Sequence, residues 1–160
     1  FRNNDIIANP IISDEKIYII SHSGTLASYD LNNLKLIWSV QIGGGNVPIV
    51  SGNSLFLIDN SNILYAMNAK NGKIKWMKQL DSNIEEGFYF KDIKKINFIG
   101  PFLIDNKLTL FSSNGYLKII DPLNGKFLKS TNFDLLGTEP IFVEDKLIIL
   151  TSDGDLKVYK

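Results

Sequence analysis

The stretch NAKNGKIKW, residues 68–76, decides the fold, because it joins a polar turn at Asn71-Gly72 to a short strand that ends on Trp76. Asn-Gly is a strong signal for a tight turn between antiparallel strands. Similar stretches occur twice more, as LNNLKLIW at residues 31–38 and PLNGKFLK at residues 122–129. The chain is therefore expected to consist of repeated supersecondary units.

Working outward from this turn, the sequence divides into four units with a period of about 40 residues. Each unit begins with a proline and two apolar residues, at Pro10, Pro48, Pro101 and Pro140. A short apolar strand then leads to a turn position, and a leucine two residues later starts an alternating strand. The turn positions, where a positive φ is expected, are Gly24, Asn62, Gly115 and Gly154. Each unit is predicted to be a four-stranded antiparallel meander.

This repeat predicts an all-β fold, a β-propeller, in preference to a sandwich. A single partial domain is expected over residues 1–160, with blades at about 10–40, 48–80, 101–130 and 140–160 and a long loop at 81–100. Trp38 and Trp76 fall on the outermost strands, where a large ring can fill the gap between neighbouring blades. The residues assigned to structural docking are Trp38, Trp76, Gly72, Gly115, Gly125 and Gly154.

The composition argues against several classes of function. Seventeen basic and 17 acidic residues give zero formal net charge, which offers no bulk attraction to nucleic acid or to an anionic membrane. The chain has no cysteine, and its one histidine, His22, lies beside a predicted turn, where a solvated side chain is expected. We therefore assign no catalytic residue, no metal ligand and no cofactor-binding residue, and expect that the protein is not an enzyme.

The succession of leucine, alternating strand, Asp or Asn, turn glycine and tryptophan resembles the tryptophan-docking repeat of PQQ-like, quinoprotein-type propellers. LYAMNAKNGKIKW, residues 64–76, matches that repeat nearly throughout. Two units depart from it, since Leu34 replaces the turn glycine in the first and Lys129 replaces the tryptophan in the third.

Within these propellers, the order of the units is similar to the C-terminal half of the BamB family of outer membrane assembly factors. The likeness covers the chain except for residues 80–100, and GTEP at residues 137–140 is its most individual feature. The resemblance implies a noncatalytic scaffold without a cofactor, at the periplasmic face of the outer membrane and anchored by a lipid upstream. It also implies binding to the POTRA domains of BamA, and possible contact with unfolded outer membrane proteins. An acidic loop contributes to that binding in the family, and Asp5 matches one of its positions, whereas Ile7 stands where a second acid is expected.

The segment between the second and third units lies outside the repeat and has the composition of a protein-binding surface. Phe88, Tyr89 and Phe90 lie next to Lys91, so aromatic anchors have a basic neighbour. These residues and Asp5 are the candidate partner-binding residues. The structural alternative is that the rings fold back over the blade.

The last unit stops at Lys160, before its fourth strand, and residues 1–9 read as a loop. In closed propellers the other end of the chain supplies such a strand. The chain is therefore expected to be part of a longer protein, with four of about eight blades, or to self-associate so that two copies complete the ring. A different class of function also stays open, namely a fragment of a PQQ-dependent dehydrogenase-like or ligand-sensing periplasmic propeller.

Overall fold

In a computed structural model, the chain folds into four antiparallel β-sheets. The structure describes residues 8–21, 24–80, 96–144 and 146–159. The sheets are blades 1 to 4 in chain order. Blade 1 comprises β1 (Ile11–Ser13), β2 (Lys16–Ile20), β3 (Leu26–Asp30) and β4 (Leu36–Val40). Blade 2 comprises β5 (Ile49–Ser51), β6 (Ser54–Ile58), β7 (Ile63–Asn68) and β8 (Ile74–Gln79). Blade 3 comprises β9 (Phe98–Ile104), β10 (Lys107–Ser112), β11 (Tyr116–Ile120) and β12 (Phe127–Asn132). Blade 4 comprises β13 (Ile141–Val143), β14 (Lys146–Leu150) and β15 (Leu156–Tyr159).

The strands of every blade pair in sequence order, so each blade is a meander. The predicted all-β propeller fold is confirmed. The described residues contain no helix, and therefore none long and apolar enough to cross a membrane. The hairpin positions read from the sequence have positive φ, at Gly24, Asn62, Gly115 and Gly154. Because this backbone region suits glycine and asparagine, these residues fix where each second hairpin turns.

Blade 2 is buried on both faces, which explains its nearly continuous apolar strands. Leu55 and Leu57 point into a core shared with blade 1, whereas Phe56 and Ile58 point into a second core shared with blade 3. The first strands β1, β5 and β9 lie next to one another and form the inner side of the arc. Among the described residues, no strand of blade 4 lies against a strand of blade 1.

Blade 3 begins earlier than the sequence indicated. β9 starts at Phe98, inside the segment 81–100 that was expected to be loop. Phe98 pairs with Ser112 and is buried in the core between blades 2 and 3, so it belongs to the sheet. The ladder between β9 and β10 shifts register beside Thr109, near Gly100 and Pro101. This irregularity interrupts the alternation of apolar and polar residues by which a strand is recognised in the sequence.

Candidate functional site: blade junctions and a surface groove

The junction between blades 1 and 2 is built on Trp38. The ring lies on the turn between β7 and β8, where a Cβ added to Gly72 would come within 2.7 Å of the indole Cε3. The indole Nε1 donates a hydrogen bond of 3.1 Å to the carbonyl oxygen of Ala69, and the hydroxyl of Tyr18 donates to the same oxygen at 3.2 Å. Burial raises the pKa of Tyr18, so this hydroxyl stays protonated and able to donate. Two donors and one ring therefore hold the turn of blade 2 against blade 1.

The junction between blades 2 and 3 repeats this geometry with Trp76. A Cβ at Gly125 would come within 2.8 Å of the Trp76 Cε3, and the indole Nε1 donates to the carbonyl oxygen of Pro122 at 3.0 Å. Phe56 lies 6.1 Å from the Trp76 ring, centroid to centroid. Tryptophan and glycine thus occupy the same positions at both junctions, whereas Phe56 stands where the first junction has the tyrosine donor Tyr18.

Local hydrogen bonds explain why the turns fold as they do. Oδ1 of Asn68 accepts from the amide of Lys70, and the carbonyl oxygen of Asn68 accepts from the amide of Gly72. Asp121 forms the matching pair of bonds with Leu123 and Gly125. A short polar side chain that bonds to the backbone two residues later is a usual turn device. These turn hydrogen bonds fix the positions of the Ala69 and Pro122 carbonyl oxygens, which accept from the two indoles.

The glycines assigned to docking fall into two groups in the structure. Gly72 and Gly125 lie under the indole rings. Gly115 lies in the other hairpin turn, near Phe133 and Leu135, and a Cβ at Gly154 would meet nothing within 4 Å. Gly115 and Gly154 therefore serve hairpin turns, and neither lies against a tryptophan.

The junction between blades 3 and 4 is built differently, since the tryptophan position holds the exposed Lys129. Phe102 contacts Phe142 with ring centroids 4.9 Å apart, and Phe133 lies 5.2 Å from the ring of Tyr159. Asp134 accepts from the Lys157 ammonium at 2.8 Å and from the Tyr159 hydroxyl. The sequence reading missed this cluster, because Asp134 lies between units and the repeat carries no signal for it.

The hydrogen bonds from Lys157 and Tyr159 lower the pKa of Asp134. A carboxylate whose pKa is lower in the folded state stabilises the fold above its unfolded pKa, and this stabilisation is lost as the pH falls through the folded value. We expect Asp134→Asn to remove a stabilisation that the wild type shows at neutral pH and loses below about pH 4. Urea midpoints measured from neutral to acid pH check this, with Asp153→Asn, at an exposed residue of blade 4, as control. Parallel curves for wild type and Asp134→Asn over the whole range would contradict it.

An open groove of about 340 Å³ lies between blades 2 and 3. Its lining residues are Ser51, Ser54, Phe56, Leu103, Asn106, Asp121, Pro122 and Leu123. The Asp121 carboxylate already accepts from the turn, so the groove offers shape and apolar contact more than a reacting group. In the part of the chain that the structure describes, no three acidic or histidine side chains are grouped to hold a metal ion.

The candidate partner-binding residues Asp5, Phe88, Tyr89, Phe90 and Lys91 lie outside the described residues, as does His22. Ile96, just after the aromatic segment, is described. Its side chain packs against the core between blades 2 and 3, and its carbonyl oxygen accepts from Nδ2 of Asn62 at 2.6 Å. Ile96 therefore lies at the junction between blades 2 and 3.

The chain is similar in sequence to known outer membrane protein assembly factors. Residues 2–78 match the family model described as outer membrane protein assembly factor BamB. The chain is 34% identical over 155 residues to BamB of Aliivibrio fischeri, covering 96% of this chain and 37% of that protein. It is 26% identical over 158 residues to BamB of Escherichia coli, covering 96% of this chain and 36% of that protein. The chain thus spans little more than a third of these relatives.

A solved structure has the same arrangement of blades. The crystal structure of BamB from Moraxella catarrhalis superposes with a TM-score of 0.73, over 96% of this chain and 43% of that one. The two sequences are 17% identical, so this likeness concerns the fold alone.

Proposed function

Since the chain belongs to the PQQ-like repeat propellers, the family of the outer membrane assembly factor BamB, we propose that it is a noncatalytic scaffold of the outer membrane β-barrel assembly (BAM) complex. In this role it binds the POTRA domains of BamA and aids insertion of β-barrel proteins into the outer membrane. It acts at the periplasmic face of that membrane, with a lipid anchor upstream of these residues. The observation that carries the proposal is the 34% identity to a BamB over 96% of the chain.

The blade junctions support a scaffold role. Two tryptophan-glycine contacts and two apolar cores fix blades 1 to 3 relative to one another. Loops carried by such a frame are held at set distances, which lowers the entropy lost when a partner binds. The frame itself needs no reacting group.

We propose that partner contact comes from Asp5 and from the aromatic segment Phe88, Tyr89, Phe90 and Lys91. A carboxylate at the rim steers and orients a basic partner, whereas affinity comes from buried aromatic anchors. In the sequence, Ile96 follows Lys91 by five positions, and its side chain packs into a blade junction. A partner bound by the aromatic segment would therefore be tied through a short stretch of chain to a fixed part of the arc.

Affinity capture from cell envelopes tests this function, with the protein that carries this chain as bait. We expect BamA to co-purify, and the triple change Phe88→Ala, Tyr89→Ala and Phe90→Ala to weaken capture about tenfold or more. Substitution is preferable to deletion, because removing Ile96 would also damage the core. Leu128→Ala, an exposed apolar residue of β12, is the control and should leave capture unchanged.

Two results would count against the proposal in different ways. Failure of BamA to co-purify with the wild-type protein overturns the assembly role. Capture that the triple variant leaves intact overturns the role of the aromatic segment alone.

A further inference from the structure

The groove between blades 2 and 3 can be compared position by position with the junction between blades 1 and 2. Pro10, Pro48 and Pro101 begin equivalent units, so the eight residues that line the groove have counterparts one unit earlier. Three of the eight are the same or similar there, namely Ser51, Leu103 and Asn106, whose counterparts are Ser13, Val50 and Asn53. The other five differ: Ser54, Phe56, Asp121, Pro122 and Leu123 stand where the first junction has Lys16, Tyr18, Asn68, Ala69 and Lys70.

These differences reverse the charge at the groove. Lys16 and Lys70 give the first junction a formal charge of +2 at these positions, whereas Asp121 gives the groove a charge of −1. Leu123 replaces one of the lysines with an apolar side chain that is 85% exposed. The blade 3 side of the groove therefore combines a carboxylate with an open apolar contact, which favours a cation on an apolar stem.

The blade 2 end of the groove carries a positive charge. The Lys75 ammonium donates to Oγ of Ser54 at 2.6 Å and to the carbonyl oxygen of Asn53 at 2.9 Å. A cationic group that enters the groove is therefore directed away from Ser54 and towards Asp121.

A backbone acceptor beside Asp121 has one donor fewer than its counterpart. The carbonyl oxygen of Ala69 accepts from an indole and from the Tyr18 hydroxyl. Phe56 stands at the Tyr18 position and has no hydroxyl, so of the described residues only Trp76 donates to the carbonyl oxygen of Pro122. Because a carbonyl oxygen has two lone pairs, Pro122 can accept a further hydrogen bond from an occupant of the groove.

The groove lies on the opposite face of the arc from the ends of segment 81–95. Its polar lining residues lie in or beside the first and third turns of blades 2 and 3, which share one end of a meander. Leu80 and Ile96, which flank the segment, both form hydrogen bonds with Asn62 in the second turn, at the other end. A ligand in the groove is therefore separate from a partner held by the aromatic segment.

We propose that this groove binds an arginine side chain of a partner protein. The guanidinium donates to the carboxylate of Asp121 and to the carbonyl oxygen of Pro122, and an apolar neighbour in the same segment packs on Leu123. A guanidinium presents five donors in a rigid plane and is more weakly hydrated than an ammonium, which suits two acceptors on one wall. Arginine is also among the residues that contribute most to binding at protein interfaces.

An NMR titration of the protein that carries this chain, labelled at its leucine methyl groups, tests the site. The probe is the blocked peptide acetyl-Gly-Leu-Arg-Gly-amide. We expect saturable shifts of the methyl signals of Leu103 and Leu123, with a dissociation constant of about 1 mM. The same peptide with citrulline, which keeps the shape of arginine without its charge, should bind about tenfold more weakly.

Two variants introduce residues that blade 2 already carries at the same positions, so the turn should stay intact. Asp121→Asn follows Asn68, whose Oδ1 accepts from the amide two residues later as that of Asp121 does. It should weaken binding about tenfold, because the acceptor loses its charge. Leu123→Lys should have at least as large an effect, since it replaces an apolar contact with a like charge. Asp153→Asn, at an exposed residue of the second turn of blade 4, is the control and should leave binding unchanged.

The proposal is overturned if the probe shifts neither leucine at about 10 mM, tenfold above the expected dissociation constant. Equal binding of the citrulline peptide, or unchanged affinity of Asp121→Asn, also overturns it. A lysine peptide that binds as tightly as the probe overturns the choice of arginine. The triple variant at Phe88, Tyr89 and Phe90 should bind the probe like the wild type, so failure of this site and failure of the assembly role are distinguishable.

Discussion

Replacing Trp38 with alanine is expected to lower the free energy of unfolding by about 3–5 kcal/mol, the usual cost of removing a buried aromatic ring. Trp38 is 8% exposed and belongs to the core shared by blades 1 and 2. Its removal leaves a cavity above Gly72 and takes away the indole donor to Ala69. The turn cannot collapse into the cavity, since its own backbone hydrogen bonds fix it, although Ala69 keeps the Tyr18 hydroxyl as a donor.

Urea unfolding followed by circular dichroism measures this effect, and Lys129→Ala provides the control. Lys129 occupies the tryptophan position of blade 3 but is exposed, so its removal should change stability by less than about 0.5 kcal/mol. Trp76→Ala should fall between the two, because Trp76 is only half-buried. A loss below about 1 kcal/mol for Trp38→Ala, no larger than an average substitution, would mean that the ring does not hold the junction.

Trp38→Phe separates the ring from its hydrogen bond. The phenyl ring keeps much of the packing, and the carbonyl oxygen of Ala69 keeps the Tyr18 hydroxyl as a donor. The added cost of the missing hydrogen bond should therefore be near 1 kcal/mol. This shared acceptor explains why blade 1 carries both a tyrosine and a tryptophan facing one turn.

The sequence predicted these blades because their determinants are local. Asn71-Gly72 specifies a turn, and a leucine two residues after each hairpin glycine or asparagine specifies a strand. The hairpin and its leucine occur in all four units, and the stretch that corresponds to Asn71-Gly72 occurs in three. The docking of Trp38 and Trp76 followed from their place on the last strand. Their partners did not, since a residue reached across 31 or 46 positions leaves no mark in a local pattern.

The junction of blades 3 and 4 shows where such reasoning ends. Its contacts join Phe102 to Phe142 and Asp134 to Lys157, residues that occupy unrelated positions in the repeat or lie between units. Lys129, at the tryptophan position of blade 3, indicated only that this junction has no docking tryptophan. Likewise Phe98 was assigned to a loop, because its strand assignment depends on pairing with Ser112 and on a core that the fold creates.

Replacing Gly72 with alanine is expected to cost about 2–5 kcal/mol, from two separable sources. The left-handed backbone at φ of 70° costs a non-glycine residue about 1–2 kcal/mol. The new methyl group would also lie 2.7 Å from the Trp38 ring, and overpacking of this kind costs about 1–3 kcal/mol. Urea unfolding again provides the measurement.

Gly52→Ala isolates the backbone part, and a double variant isolates the clash. Gly52 has φ of 53°, but a Cβ there would meet nothing within 4 Å, so only the conformational cost of about 1–2 kcal/mol should appear. In a Trp38→Ala background the ring is gone, and the cost of Gly72→Ala should fall to that of Gly52→Ala. The difference is the coupling energy between ring and glycine, which contacting residues usually show at about 0.5–3 kcal/mol. Equal costs of Gly72→Ala with and without Trp38 would show that the ring tolerates a side chain beneath it.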